Sequence, residues 1–204
     1  MATISLFPLN TVLFPEGQLP LQVFELRYLD LVKRCIEQDM EFGVVSLLRG
    51  SELQKPGRTV TLAKVGTMAR IATASTILPG LMQIDCVGTT RFRILSSEMQ
   101  TNGLWTAEAE PLADDREVSV PLDQRDVASA LNVLLAALEK KPAPPAHIPV
   151  AQPYRYNDAG WVANRWCEHL RLDLNVKQRL LALDNPVLRL ELVQDLLNVH
   201  GLLG

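Results

Sequence analysis

The chain has 204 residues, a mass of 22.7 kDa and a formal charge of −3, with 20 Lys and Arg against 23 Asp and Glu. At about 150 residues per domain it holds about one to one and a half domains, too few for an ATP-driven multidomain machine, yet enough to bury a core without disulfide or metal staples. The mildly acidic balance excludes a chain-wide basic field, and with it bulk attraction to nucleic acid or anionic membrane.

The first sixteen residues, MATISLFPLNTVLFPE, are apolar but carry no basic cluster. Pro8 and Pro15 interrupt them and no small-residue cleavage site follows, so a secretory signal is not expected. No stretch of 18 uncharged apolar residues occurs, so no spanning helix is expected and the protein reads as cytoplasmic. From residue 24 to 40, Tyr28, Leu29, Val32, Cys35, Ile36 and Met40 recur at a helical period. Residues 59–77 then form a Thr-, Val- and Ile-rich strand with Gly66 as a bend. Pro79-Gly80 suits a type II turn into a second strand over residues 81–95, where Phe92 and Ile94 alternate with Arg91 and Arg93. Asn102-Gly103 signals a hairpin into residues 104–109. Residues 1–115, with eight of the eleven glycines, therefore read as a small antiparallel barrel or sandwich carrying one inserted helix.

Residues 116–204 read as a helical bundle. Asp123 is placed to cap a helix bearing Val127, Leu131, Leu134, Leu135 and Leu138, with Lys140 and Lys141 at its end and Pro142 stopping it. A proline-rich connector occupies residues 142–153. A second helix begins near Asn157 or Asp158 and carries Trp161, Val162, Trp166 and Leu170, and a third, capped by Asn175, covers residues 176–183. The last starts at Asn185-Pro186 and stops at Gly201, with Leu188, Leu192, Asp195, Leu196 and Val199 as its inward stripe. The three cysteines, Cys35, Cys86 and Cys167, are too sparse for a disulfide framework and read as buried free thiols.

The segment LFPLNTVLFPEGQLPLQVFELRY, residues 6–28, resembles the opening of the Lon protease N-terminal, substrate-binding domain, with its PLFPL, VLFPG and LPL.IFEPRY pattern. Residues 88–94, GTTRFRI, resemble the family's G..RFRI strand, and residues 176–181 with the Arg189-Leu190 helix resemble its KQ.LLE…RL pattern. The chain departs at Leu26, where the family has proline, and at Glu16, ahead of Gly17. The resemblance implies an α+β fold, a PUA-like β pseudo-barrel with one inserted helix followed by a helical bundle. It also implies non-catalytic recognition of polypeptide or unfolded protein segments. No GxxxxGK[ST] phosphate loop occurs and the chain ends at Gly204, so a stand-alone protein without ATPase or protease parts is expected, with a separate protease or ATPase as a candidate partner.

The residues themselves point to no catalysis, cofactor or metal. No GxSxG elbow occurs. In Cys167-Glu168-His169 the thiol and imidazole stand at i and i+2, pointing apart on a helix, although Cys167 could meet His147 or His200 in space. Glu25 and Arg27, beside Phe24 and Tyr28, read as anchors of the barrel to its helix, or else as partner contacts; Arg27→Ala is then expected to cost more stability than Lys55→Ala in a loop. Arg91 and Arg93 share a strand face, which keeps an RNA-binding PUA-like module open as the alternative. Yet residues 1–115 hold ten basic against thirteen acidic residues and the remainder ten of each, without the excess that phosphate binding needs. Trp161 and Trp166, five apart, cannot both centre on one narrow stripe, so one of them, Trp161, is a candidate exposed anchor.

Overall fold

The computed structural model describes residues 2–49, 60–140 and 152–203. Lys55, Lys141, His147 and residues 142–151 of the proline-rich connector lie outside them.

Six strands make one sheet that curls into a ring. They are β1 (Ala2–Leu9), β2 (Gln18–Val23), β3 (Phe42–Arg49), β4 (Thr61–Leu78), β5 (Leu81–Met99) and β6 (Trp105–Pro111), in the order β2-β5-β4-β3-β1-β6, and a β5–β6 pairing closes the ring. All pairs are antiparallel except β1–β3, which run parallel because β2 and the helix α1 (Leu26–Gln38) form the crossover between them. β2 pairs only with the first half of β5, while β6 pairs with its second half. The expected pseudo-barrel with one inserted helix is present, as a ring rather than a clean barrel.

Side-chain size explains the close approach inside the ring. Phe92 of β5 fills the space that two glycines leave: a Cβ on Gly66 would sit 2.5 Å from the Phe92 ring, and one on Gly43 2.8 Å. Gly66 is thus required for contact with Phe92, and the irregular register lies on either side of it, after Val45 on β3 and Thr67 on β4. At the hairpin tip Gly80 has φ +82°, the left-handed value a type II turn asks of its third residue. α1 closes one end of the ring through Tyr28, Leu29, Leu31, Val32 and Cys35, while Ile36 and Met40, expected on that face, lie exposed.

The helices α2 (Arg125–Glu139), α3 (Ala159–His169), α4 (Leu174–Leu181) and α5 (Pro186–Val199) form the second layer, after a 3-10 turn at Leu122–Gln124. Asp158 caps α3, Asp173 rather than Asn175 caps α4, and Asn185 caps α5, each side-chain oxygen accepting from a free first-turn N–H. The stripe expected on α5 is displaced. Leu188, Leu192, Asp195 and Val199 face outward, with Val199 82% exposed, and the buried face runs Pro186, Arg189, Leu190, Val193 and Leu197. An arginine occupies the centre of that face, so hydrophobic periodicity alone pointed to the wrong side.

Arg189 is inside because its charge is matched there. It makes a bidentate pair with Asp115, and it donates to Asn164 Oδ1 at 3.0 Å and, through Nε, to the Leu180 carbonyl at 3.0 Å. Arg91 of β5 reaches the same carboxylate at 3.3 Å and donates to the carbonyls of Leu181 (2.9 Å), Leu183 (2.8 Å) and Ala113 (3.1 Å). The two guanidinium groups thus satisfy carbonyls at and just beyond the C-terminus of α4, the helix end that carries partial negative charge. Gln178 adds a second tie between layers, donating to the Val65 carbonyl at 2.6 Å and accepting from Ser46 Oγ at 3.0 Å.

Asp115→Ala leaves two buried cations without their shared carboxylate and is expected to cost about 3–5 kcal/mol in denaturant unfolding. Glu110→Ala removes only the half-exposed partner of Arg93 and is expected to cost less than about 1 kcal/mol. Equal losses would overturn the assignment of Asp115 as the joint between layers.

Candidate functional site

The strand pattern of the described residues leaves an apolar opening in the ring. β1 is paired with β6 from Ala2 to Leu6 and then continues alone on that side through residues 7–9. β2, across from it, is bonded only to β5. Between them lies a groove of about 400 Å³, lined by Phe7, Pro8 and Leu9, by residues 20–23, and by Phe24, Glu25 and Tyr28 at the entry to α1. The Phe7 and Tyr28 rings stack at 3.8 Å with a 9° interplanar angle, which makes a flat, stiff floor. Phe24 and Leu26 stand at this corner with 59% and 72% of their surfaces in solvent.

Arg27 braces this corner. It pairs with Glu25 Oε2 at 2.8 Å, donates to the Gly103 carbonyl at 2.5 Å in the Asn102-Gly103 turn, and lies 4.5 Å from the centre of the Tyr28 ring. Phe24, Glu25 and Tyr28 therefore line one groove, and Arg27 positions its aromatic floor. Phe7, Leu9, Leu21 and Val23 add apolar side chains to the lining. They stand in the same N-terminal motif, and the signal that could have found them was the alternation of apolar residues there.

The remaining candidates are elsewhere. Arg91 is buried in the joint between layers, whereas Arg93 is exposed and paired with Glu110 at 3.4 Å. The two residues do share strand parity, but the fold buries Arg91, so the two form no shared surface. Trp161 is 3% exposed, enclosed by the Tyr154 and Tyr156 rings at 6.1 and 5.6 Å, with Arg165 on its face at 5.8 Å. Trp166 is also buried and donates Nε1–H to the Val127 carbonyl at 3.0 Å. Both tryptophans fit inside because α3 is surrounded: its residues 159–167 are all buried, so no narrow stripe limits it.

A larger cleft of about 560 Å³ lies between ring and helices, and several of its charges are paired. Arg91 holds Asp115, and Arg155 holds Glu16 and, at 3.7 Å, Asp158. Glu16 has φ 63°, a left-handed conformation that favours glycine. This is the position next to Gly17 where the motif departs from its usual pattern.

The three thiols are free and buried. Burial pushes Cys86 and Cys167 up to about 12, and among the described residues neither hydrogen-bonds to a histidine. Among the described residues no cluster of three metal-ligating side chains occurs, and no helix is long and apolar enough to cross a membrane. Beneath the Gly17 loop, Arg165 donates to Glu168 Oε1 at 2.7 Å and to the Pro15 carbonyl at 2.6 Å. Burial pushes the Glu168 carboxyl up to about 8 against the pull of Arg165 and Lys177. Burial pushes His169 down to about 4, reinforced by Arg165 and Lys177, and its Nε2 is buried without a partner.

His169 gives a pH signature. The unfolded chain takes up this proton near pH 6.5 and the folded chain only near 4, so stability falls as pH drops through that window. His169→Gln is expected to lose less stability than the parent between about pH 6.5 and 4, measured by thermal melts. Parallel pH profiles would contradict a neutral buried imidazole.

Similarity to known proteins bears on this arrangement. The model of the ATP-dependent protease La (LON) substrate-binding domain matches residues 3–199. A Lon protease of Anaeromyxobacter dehalogenans is 28% identical over 201 residues, which is 97% of this chain and 23% of that protein. The chain thus spans about a quarter of that relative's length. The crystal structure of a Lon N-terminal domain protein from Xanthomonas campestris superposes with a TM-score of 0.77 at 29% identity, over 96% of this chain and 98% of that one. The N-terminal domain of a Mycobacterium avium complex Lon protease shares the fold, with a TM-score of 0.64 at 14% identity, over 98% of this chain and all of the other.

Proposed function

The chain belongs to the ATP-dependent protease La (LON) substrate-binding domain family, and on that premise we propose that it recognises polypeptide, without catalysis, in the groove between β1, β2 and the start of α1. The observation that carries this reading is the coincidence of motif and groove. The residues that resemble the family at the N-terminus, Phe24, Glu25 and Tyr28 among them, line one apolar opening, and Phe24 and Leu26 are presented to solvent at its corner.

The physical argument favours an unfolded or extended segment with apolar side chains. Phe24 exposes a large apolar surface that a folded monomer gains by covering, at about 25 cal/mol per Å². The stacked, buried Phe7 and Tyr28 rings give the groove an apolar floor, and Arg27 and Glu25 neutralise each other, so the rim does not select for charge. Delivery of the bound chain to a separate ATPase or protease is the corresponding working context. The burial of Arg91 removes half of the basic pair on which the RNA-binding reading rested.

The test is fluorescence anisotropy with a labelled, reduced and carboxymethylated protein as a permanently unfolded probe. Phe24→Ala is expected to weaken binding at least tenfold, about 1.4 kcal/mol, the size of a modest interface hot spot. Because Phe24 is mostly exposed, its melting temperature is expected to stay within about 2 °C of the parent. Absence of binding by the parent, or unchanged affinity in Phe24→Ala, would remove the groove as the recognition site.

A further inference from the structure

On α2 the polar residues Arg125, Ser129 and Asn132 stand at i, i+4 and i+7, so they share one exposed face, while Val127, Leu131 and Leu135 are buried on another. The polar face meets a wall made of two short stretches of chain. In it the Val120 N–H donates to the Asn157 carbonyl at 2.9 Å, the Ala159 N–H donates to the Val118 carbonyl at 2.8 Å, and Ser119 is bridged to Asp158, which fixes the wall. Between helix and wall lies a cavity of about 530 Å³, within the size range of small-ligand sites. The polar groups of five lining side chains, Ser119, Arg125, Asn132, Tyr156 and Asn157, hydrogen-bond or ion-pair with no other described residue.

Charge sets the class of ligand. In a chain of net charge −3, the lining carries a single charged side chain, and it is the cation Arg125. The acids near it are engaged elsewhere. Asp126 Oδ1 accepts from the Val127 N–H at 2.8 Å and from Gln194 at 3.2 Å, and Glu139 Oε1 accepts from the Tyr154 hydroxyl at 2.5 Å. A cation in the first turn of a helix opposes the macrodipole, so Arg125 adds nothing to α2 as a helix. We propose that this cavity binds the carboxylate of a peptide, at a site separate from the apolar groove. The guanidinium fork of Arg125 takes both carboxylate oxygens. The Asn132 and Asn157 amides each offer a donor and an acceptor to the main-chain amide behind that carboxylate. Val120 and Ala128 give the adjoining side chain an apolar wall. One guanidinium balances one carboxylate, whereas a phosphoryl group carries nearly twice that charge. A chain terminus and an Asp or Glu side chain share this chemistry.

The experiment is a proton–nitrogen NMR titration of the full chain with N-acetyl-Ala-Ala, whose C-terminal carboxylate is free. The probe is expected to shift the Arg125 Nε–H signal and the amide signals of Ser119 and Asn157 to saturation. N-acetyl-Ala-Ala-amide, which lacks the charge, is expected to bind at least tenfold more weakly. Arg125→Ala is expected to weaken binding of the acid at least tenfold, and Arg125→Lys, which keeps the charge but loses the fork, by less. Asn132→Ala tests the neutral part of the site and is expected to weaken binding while the preference for acid over amide persists. Arg125 and Asn132 are both exposed, so the melting temperatures of these variants are expected to stay within about 2 °C of the parent. Tighter binding of N-acetyl-Ala-Ala than of N-acetyl-Asp-amide supports a site for chain ends, and the reverse order supports one for acidic side chains. Phe24→Ala is expected to leave all of these affinities unchanged, which separates this site from the groove. Equal binding of acid and amide, tighter binding of inorganic phosphate, unchanged affinity in Arg125→Ala, or no saturable shift with either carboxylate would overturn the proposal.

Discussion

Asp115 stands between two arginines that come from opposite halves of the chain, and the arrangement of the layers depends on it. Arg91 arrives from a strand and Arg189 from a helix, and neither has access to solvent. Two buried like charges repel and lose hydration, so their common carboxylate and the carbonyls beyond α4 have to lie within reach of both. That requirement fixes the end of α4 against β5 and turns α5 so that Arg189 points inward beside Leu190, Val193 and Leu197. The exposed Leu188, Leu192 and Val199 are the consequence of that rotation.

With the helices held on one side, the far end of the ring is free to open. β5 is long enough to serve two partners in succession, β2 along its first half and β6 along its second. No single strand therefore closes the ring between β1 and β2, and the gap becomes the groove. Its floor is rigid because Tyr28 is clamped from both faces, by Phe7 on one and by Arg27 on the other.

Much of this was readable from local pattern. The period of residues 24–40 marked α1, Pro79-Gly80 and Asn102-Gly103 marked two turns, and Asn185-Pro186 marked the start of α5, because these signals act within a few residues of chain. Part of the groove was legible as well, in the motif around Phe24 and Tyr28. The burial of Arg91, Trp161 and Trp166 was not. A charged or amphipathic side chain states its chemistry in the sequence but not its partner, and Asp115 lies 24 residues from Arg91 and 74 from Arg189.

By itself, the sequence determined the class of fold, β followed by α, the kinship to a polypeptide-binding family, and the absence of a phosphate-loop motif, since these rest on periodicity, turn chemistry and a long irregular motif. Only the tertiary structure decided which face of α5 is buried, which of Arg91 and Arg93 meets solvent, and where the ring stays open. Those outcomes follow from long-range pairing of charges and strands, in which a residue's place is set by what the rest of the chain brings to it.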